Sequence, residues 1–308
     1  MVSRRHGRYD VLVIGGGVTG LTAAHHAARS GLSTALIEGE PLFGGQIATV
    51  EQLDGYPAVG ALSGIDLAVD LVERCRSLGV AFHQAPIESL AVGGGGLVGL
   101  AAGERHRARA VVVASGARLK RLGVPGEDTL LGKGVSQCAW CDGHLYRGED
   151  VAVVGGGDAA AQEALVLAGL CRRVYVVARS PLRAKPDYVN RLSRLDNVEF
   201  VWSSVVDEVL GSGAVEGVRL RGVRDGGVRE LACEAVFPFI GSIPNSEFLP
   251  AEVACEDGYV LTDAEYASSL PGVFAAGAVR RGYGGHVAEA VGEAVSAASA
   301  AARYLRAG

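Results

Sequence analysis

The sequence predicts an α/β protein with two Rossmann-like dinucleotide-binding domains, the second inserted into the first. A strand, a glycine turn and a helix occur near the amino terminus, and the same unit recurs beyond residue 150. A segment rich in glycine and alanine follows the second unit and leads into a long helix. At a prior of ~150 residues per domain, this 308-residue chain is long enough for two cores.

The first unit begins with residues 9–14, a β-branched apolar run that predicts a buried strand. Its glycine turn is G-x-G-x-x-G, with Gly15, Gly17 and Gly20. The pattern continues with a helix at 21–30 and a strand at 33–37 that ends at Glu38. An acid at this distance after the glycines typically binds an adenosine ribose. We therefore interpret these residues as a dinucleotide site that selects a ribose hydroxyl.

The second unit repeats this order with a strand at 151–154, a helix to about residue 170 and a strand at 174–177. Its turn contains Gly155, Gly157, Asp158 and Ala160. The position equivalent to Glu38 is Ala178, with Arg179 beside it and Arg183 further on. The missing carboxylate and the two cations favour a 2′-phosphate, which predicts NADPH.

Each unit leads into short alternating strands and then a buried strand, at 111–114 and 236–240. We expect the segment 272–277 and a helix at about 285–305 to complete the first domain. The predicted boundaries are 1–117 with 246–308 for the first dinucleotide-binding domain and 118–245 for the second, which we expect to bind NAD(P)H.

Composition excludes several classes of protein. Hydrophobic residues make up 49% and charged residues 20%, with no apolar run of the ~18 residues that a membrane span needs. The net charge of −5 argues against nucleic-acid binding, which requires a basic surface. Six cysteines are too sparse for a secreted disulfide framework. We expect a cytoplasmic protein without nucleic-acid or membrane partners.

A C-x-x-C pair, Cys138 and Cys141, lies between the two units and is followed by Asp142. This spacing puts two sulfurs within disulfide reach and lowers one thiol pKa, which favours exchange chemistry. A zinc half-site and inert cysteines are the alternatives. Zinc needs about four ligands and no second pair is present, so we expect no metal. Asp142 offers a proton acceptor or donor, whereas His144 is better explained by packing or a surface position.

The segment 138–143, followed closely by Gly155, Gly156 and Gly157, resembles the low-molecular-weight thioredoxin reductase family. The resemblance covers nearly the whole chain, including 44–46, 114–117 and 274–277. It implies that FAD binds the first domain and NADPH the second, while the dithiol carries electrons from flavin to a thioredoxin disulfide. By this resemblance Cys141 faces the flavin, a surface-facing Cys138 attacks the partner disulfide, and Asp142 handles the proton.

The resemblance also implies the cofactor-binding residues. For FAD they are Gly15, Gly17, Gly20, Glu38, Gly45, Gln46, Gly116, Gly277, Ala278 and His286. For the pyridine nucleotide they are Gly155, Gly157, Asp158, Ala160, Arg179 and Arg183.

Four features depart from the family pattern. Ala278 replaces an Asp that contacts the flavin nucleotide, Gly285-His286 replaces an Arg-Gln pair, and Gly55 replaces an Asn. The phosphate clamp around Arg179 is one residue shorter. NADH or another donor is therefore the alternative to NADPH.

We predict a homodimeric flavoprotein disulfide reductase, with electrons passing from NAD(P)H via FAD and the dithiol to a thioredoxin-like protein or a small-molecule disulfide. One alternative is a dithiol oxidase with oxygen as acceptor, and another is a non-catalytic nucleotide-binding redox sensor. An oxidase has no need of the second glycine turn, so the reductase ranks first.

Overall fold

The computed structural model describes residues 8–50, 53, 56 and 62–307. The chain divides into two compact units, Met1–Arg118 with Pro244–Gly308, and Leu119–Ile243. We call them unit 1 and unit 2. Helices described in unit 1 are α1 (Val18–Arg29), α2 (Gly64–Ser77) and α6 (Val287–Ala307), and those in unit 2 are α3 (Ala139–Asp142), α4 (Asp158–Ala168) and α5 (Pro186–Leu192).

The described strands of unit 1 are β1 (Arg8–Ile14), β2 (Thr34–Glu38), β3 (Ala81–Gln84), β4 (Ile87–Gly93), β5 (Gly96–Ala101), β6 (Glu104–Val113), β16 (Cys255–Glu256), β17 (Tyr259–Val260) and β18 (Val273–Ala275). Those of unit 2 are β8 (Asp150–Val154), β9 (Arg173–Ala178), β10 (Val198–Trp202), β11 (Ser204–Leu210), β12 (Gly217–Gly222), β13 (Val228–Ala232) and β14 (Ala235–Pro238). The short strands β7 (Ala117–Leu119) and β15 (Ser242–Pro244) pair where the chain passes between the units.

The main sheet of unit 1 has the order β3-β2-β1-β6-β5-β4, and β18 pairs with β6. Strands β1, β2, β3, β6 and β18 are parallel, whereas β4, β5 and β6 form an antiparallel meander. Val273 of β18 is in register with Val111 of β6, so the chain that returns from unit 2 completes the first sheet. This confirms the predicted insertion of the second domain into the first.

Small side chains allow close packing of helices in unit 1. Ala23, Ala24 and Ala27 of α1 belong to one buried cluster with Ala297 and Ala301 of α6. The unpredicted helix α2 begins after Ser63, whose Oγ accepts the Asp66 N–H at 3.1 Å. This Ser-x-x-Asp cap was a usable sequence signal.

Unit 2 contains a parallel sheet in the order β10-β9-β8-β14 and an antiparallel sheet in the order β11-β12-β13. The helix α4 follows β8 through the second glycine turn. Its buried residues, Ala160, Ala161, Ala164 and Leu167, lie on the face that packs into the core.

Two predicted helix starts differ from those observed. Helix α1 begins at Val18, because Gly17 is its N-cap and the Gly17 carbonyl accepts the Leu21 N–H. Helix α6 begins at Val287, because Gly285 has φ +90°, which is incompatible with a right-handed helix. Among the described helices, none is long and apolar enough to cross a lipid bilayer.

Candidate functional site

The glycines of the first turn are required for different reasons. A Cβ on Gly15 would lie 2.3 Å from the Ala114 carbonyl oxygen, and one on Gly20 would lie 1.8 Å from the Gly15 oxygen. Backbone packing therefore excludes a side chain at both positions. A Cβ on Gly17 would have no neighbour nearer than 3.8 Å, and its φ is −70°. The fold itself does not demand glycine at Gly17.

The open space at Gly17 lies at the N-terminus of α1. The helix has no side-chain N-cap and no acidic residue in its first turn. Free amides and the positive end of the helix dipole favour a phosphate group there. This glycine turn therefore fits the pyrophosphate of a dinucleotide.

Glu38 lies beside the same turn. Its Oε2 accepts the Gly16 N–H at 2.5 Å, and its Oε1 accepts the Glu40 N–H at 2.8 Å. The carboxylate is therefore fixed at the carboxyl end of β2, where ribose hydroxyls are bound in dinucleotide folds. This placement fits the role that the sequence suggests.

The glycine pair at residues 44–45 contacts the first glycine turn. The Gly44 N–H donates to the Gly16 carbonyl at 2.8 Å, and a Cβ on Gly45 would lie 3.1 Å from the Gly17 Cα. Gln46 donates from Nε2 to the Ala117 carbonyl at 2.5 Å. The structure therefore brings Gly45 to the turn and links Gln46 to the segment after Gly116.

Asn245 holds the segment around Gly116 and was missed by sequence reasoning. Its Nδ2 donates to the Ser115 carbonyl and its N–H to the Gly116 carbonyl, both at 2.9 Å. Gly116 has φ +69°, a left-handed conformation that favours glycine. Because 130 residues separate Asn245 from Ser115 in the chain, no local pattern indicates this contact.

The glycine segment around Gly277 also contacts α1. Gly277 has φ +73°, and a Cβ there would lie 2.5 Å from Thr19 Oγ1 in the first turn of α1. Ala278 follows and is half-buried, so the carboxylate of the family pattern is absent at this place. The Gly277 N–H donates to Glu293 Oε2 at 2.7 Å, and the Glu293 side chain is 3% exposed.

The remaining predicted FAD position is His286. His286 is half-buried immediately before α6, and its carbonyl accepts the Tyr283 hydroxyl at 3.0 Å. Burial and the nearby Glu289 and Glu293 carboxylates raise the pKa of Tyr283 to about 12. Gly55 lies outside the described residues.

The second glycine turn shows the same division of roles. Gly155 has φ +147°, and a Cβ there would lie 2.2 Å from the Phe239 carbonyl oxygen. A Cβ on Gly157 would meet nothing within 4 Å, and α4 has no side-chain N-cap. Ala160 is 1% exposed and lies over Gly155. The turn again leaves space beside a helix N-terminus.

A loop from the end of β9 is attached to this second turn. The Arg183 N–H donates to the Gly156 carbonyl at 2.7 Å, and the Lys185 N–H donates to Asp158 Oδ1 at 2.7 Å. Asp158 therefore holds the loop. The side chains of Arg179 and Arg183 are exposed, and neither forms an ion pair with another described residue. Both cations are available to a ligand at the edge of the turn.

Cys138 and Cys141 form a disulfide with a Cα–Cα distance of 5.3 Å. Cys138 is the N-cap of α3, where its Sγ accepts the Cys141 N–H at 3.1 Å. Its own N–H donates to Ser136 Oγ at 3.1 Å. Cys138 is half-buried and Cys141 is exposed. The assignment of the nucleophile stays a prediction.

Glu163 contacts this dithiol segment and was also missed. Its Oε2 accepts the Ala139 N–H at 2.8 Å, next to Cys138 in the chain. Burial raises the pKa of the Glu163 carboxyl, while the hydrogen bond from Ala139 lowers it. Glu163 falls three residues after the buried Ala160, and an acid on the apolar face of a predicted helix was a usable signal.

Two further polar residues follow the dithiol closely in the chain. Asp142 is half-buried directly after Cys141, and His144 is exposed. Within the described residues, no group of three or more His, Cys, Asp or Glu side chains could hold a metal ion.

The other cysteines are free thiols. Three of them are buried, and burial raises their pKa values to about 11, 11 and 12 for Cys75, Cys171 and Cys233. Cys255 is exposed. Because a protonated thiol is a poor nucleophile, the three buried cysteines are chemically inert near neutral pH.

A family model described as pyridine nucleotide-disulphide oxidoreductase matches residues 9–294. The chain belongs to this family. It is 36% identical to the thioredoxin reductase of Treponema pallidum over 299 residues, which covers 96% of this chain and 97% of that protein. A structure of Lactococcus lactis thioredoxin reductase in its "FR conformation" has TM-score 0.92 and 31% identity, and covers 97% of this chain and 99% of that one. A ferredoxin-flavin thioredoxin reductase from Clostridium acetobutylicum has TM-score 0.53 and 25% identity, and covers 97% of this chain and 98% of that one.

These likenesses confirm the predicted oxidoreductase of the thioredoxin reductase type and its pair of Rossmann-like domains. Family membership also implies FAD and a pyridine nucleotide as cofactors. The two glycine turns, each with an uncapped helix N-terminus, fit such dinucleotides.

Proposed function

We propose that this chain uses NADPH and FAD to reduce the Cys138–Cys141 disulfide, and that the resulting dithiol reduces the disulfide of a thioredoxin-like protein. The observation that carries the proposal is the disulfide on α3, in the same compact unit as the second glycine turn. The names of the relatives support thioredoxin as the partner.

Unit 1 is the proposed FAD-binding domain. Gly17 and α1 would hold the pyrophosphate, Glu38 the adenosine ribose, and the segments at Gly45, Gln46, Gly116 and Gly277 would surround the rest. When bound, FAD supplies a two-electron carrier between a hydride donor and a disulfide. Gly15 and Gly20 allow the turn itself to form, because backbone oxygens occupy the space of their side chains.

Unit 2 is the proposed NADPH-binding domain. Gly155, Gly157 and Ala160 would form the pyrophosphate turn, and Asp158 would hold the adjoining loop. Arg179 and Arg183 would bind the 2′-phosphate, since both are exposed and Ala178 offers no competing carboxylate. NADH or reduced ferredoxin is the competing donor, the latter in view of the ferredoxin-flavin relative.

The proposed exchange uses only sulfur and proton chemistry of this chain. In the reduced pair, the Cys138 thiolate attacks one sulfur of the partner disulfide and releases the other sulfur as a thiolate. Cys141 then attacks Cys138, which restores the Cys138–Cys141 bond and releases the second partner thiolate. Asp142, directly after Cys141, would donate or accept the protons.

An absorption spectrum of the purified protein tests the cofactor, and anaerobic titration tests the donor. We expect bound FAD that bleaches with NADPH and much more slowly with NADH. A protein that takes up no added FAD would contradict the proposal. If reduced ferredoxin bleaches the flavin and NADPH does not, ferredoxin and not NADPH is the electron donor. A Cys138→Ser variant should keep FAD bleaching and lose thioredoxin reduction.

We further propose a cytoplasmic homodimer. The four free thiols agree with a reducing compartment. Light scattering of the purified holoprotein measures the oligomeric state, and a monomeric mass would refute the dimer.

A further inference from the structure

Glu163 reaches the dithiol segment from a different element of unit 2. It lies on α4, whose neighbouring core residues Ala160, Ala164 and Leu167 are buried. Its carboxylate accepts the N–H of Ala139, a residue with no exposed surface. A half-buried acid that holds a backbone amide beside a reactive disulfide requires an explanation, because burying a carboxylate costs free energy unless it is hydrogen-bonded.

The Ala139 amide is the first N–H of the short helix α3 and has no acceptor within that helix. The neighbouring Cys138 N–H donates to Ser136 Oγ, and the Cys141 N–H donates to Cys138 Sγ. Of the acceptors of these three amides, Glu163 is the one that comes from another helix, and it fixes the backbone between the two sulfurs.

We propose that Glu163 is a positioning residue that stabilises the closed Cys138–Cys141 disulfide. By holding Ala139, it keeps the backbone of α3 in the conformation in which the two sulfurs meet. Fixing the two groups in their bonding geometry raises their effective concentration and so favours ring closure. The consequence for turnover rests on the proposed function, whereas the effect on the disulfide itself does not.

The test is the equilibrium between this disulfide and dithiothreitol in the full-length protein. Reduced dithiothreitol exchanges with the Cys138–Cys141 bond to give two protein thiols and oxidised, cyclic dithiothreitol, so atoms and electrons balance. Acid quenching, alkylation and mass spectrometry of the peptide containing both cysteines measure the fraction reduced. This readout needs neither NADPH nor thioredoxin.

We expect Glu163→Ala to make the disulfide about tenfold easier to reduce, which corresponds to about 30 mV for a two-electron couple. Glu163→Gln keeps an acceptor oxygen and should stay within about threefold of the original protein. Glu163→Met removes the acceptor with little loss of volume and should match Glu163→Ala. Agreement between the two variants would show that the shift does not come from misfolding of the smaller one.

Gln162→Ala is the matched control, because Gln162 is exposed on the same helix and donates to the Tyr188 hydroxyl instead. It should leave the equilibrium unchanged. The proposal fails if Glu163→Met behaves like the original protein, or if Glu163→Gln shifts the equilibrium as far as Glu163→Met does. Suppose that the Glu163 variants shift the disulfide equilibrium as expected while the original protein fails to reduce thioredoxin with NADPH. In that case the proposed function is wrong and the role of Glu163 stands.

Discussion

Arg280 and Glu293 form an ion pair that is almost entirely enclosed by protein, with side chains 17% and 3% exposed. The Arg280 Nε donates to Glu293 Oε2 at 3.2 Å, and a second guanidinium nitrogen contacts Oε1. The same Oε2 accepts the Gly277 N–H. A buried charge pair thus fixes the glycine segment that carries Ala278 to Glu293 of α6.

We predict that Glu293→Gln lowers the free energy of unfolding by about 3–5 kcal/mol, since it leaves the Arg280 charge buried without its partner. Urea unfolding of the holoprotein in excess FAD measures the change. Glu265→Gln is the control, because its ion pair with Arg303 is exposed. That change should cost less than about 1 kcal/mol. Equal losses in the two variants would show that burial of the Glu293 pair contributes nothing.

Gly20 and Gly17 of the first glycine turn should respond differently to replacement by alanine. Gly20→Ala places a Cβ against the Gly15 oxygen and should destabilise the apoprotein by at least about 1–3 kcal/mol. Gly17→Ala meets no protein atom within 3.8 Å and should leave apoprotein stability nearly unchanged while weakening FAD binding at least tenfold. Thermal unfolding of the apoprotein and fluorescence titration with FAD separate the two effects. Normal FAD affinity in Gly17→Ala would place the pyrophosphate elsewhere.

We expect Gly157 to lie against the bound pyridine nucleotide. A Cβ on Gly157 has no neighbour within 4 Å, so Gly157→Ala should preserve both folding and FAD content. It should weaken NADPH binding about tenfold or more, because the added methyl occupies the space beside the α4 N-terminus. Anaerobic flavin bleaching at increasing NADPH concentrations measures this. A matching loss of bound FAD would contradict the separation of the two sites.

The features that the sequence predicts well are those with a short repeat. Each glycine turn follows an apolar strand and leads into a helix, and the C-x-x-C spacing puts two sulfurs within reach of each other. Contacts between distant segments leave no such pattern. Asn245 meets Ser115, and Glu163 meets Ala139, through side chains whose partners depend on the folded arrangement.

Cofactor preference should depend on the exposed cations after β9. Arg179→Ala should raise the KM for NADPH about tenfold to a hundredfold, because a hydrogen bond to a charged group contributes about 1.5–3 kcal/mol. The KM for NADH should change little, since NADH has no 2′-phosphate. Arg229→Ala is the control, as Arg229 is exposed on β13 of the same unit. Equal increases for both nucleotides would remove Arg179 from the 2′-phosphate site.

A pair of histidines in unit 1 should make stability depend on pH. The rings of His83 and His106 lie 4.3 Å apart between centroids, and His83 Nε2 is 3.0 Å from the Tyr9 hydroxyl. Burial lowers the pKa of both rings. The His106 ring lowers the pKa of His83 further, and the carboxylate of Glu104 opposes both shifts.

Because these folded-state pKa values lie below the unfolded value of about 6.5, the unfolded chain binds more protons as the solution is acidified. The free energy of unfolding is therefore undiminished by this pair above about pH 6.5, where both rings are neutral in the folded and the unfolded chain. It decreases as the pH falls from there towards the folded-state pKa values. We predict that His83→Gln with His106→Gln flattens the fall in unfolding free energy between about pH 7 and pH 5. His144→Gln, at an exposed position, should leave that slope unchanged. Denaturant unfolding across this range measures the slopes, and parallel curves for the double variant and the original protein would refute the assignment.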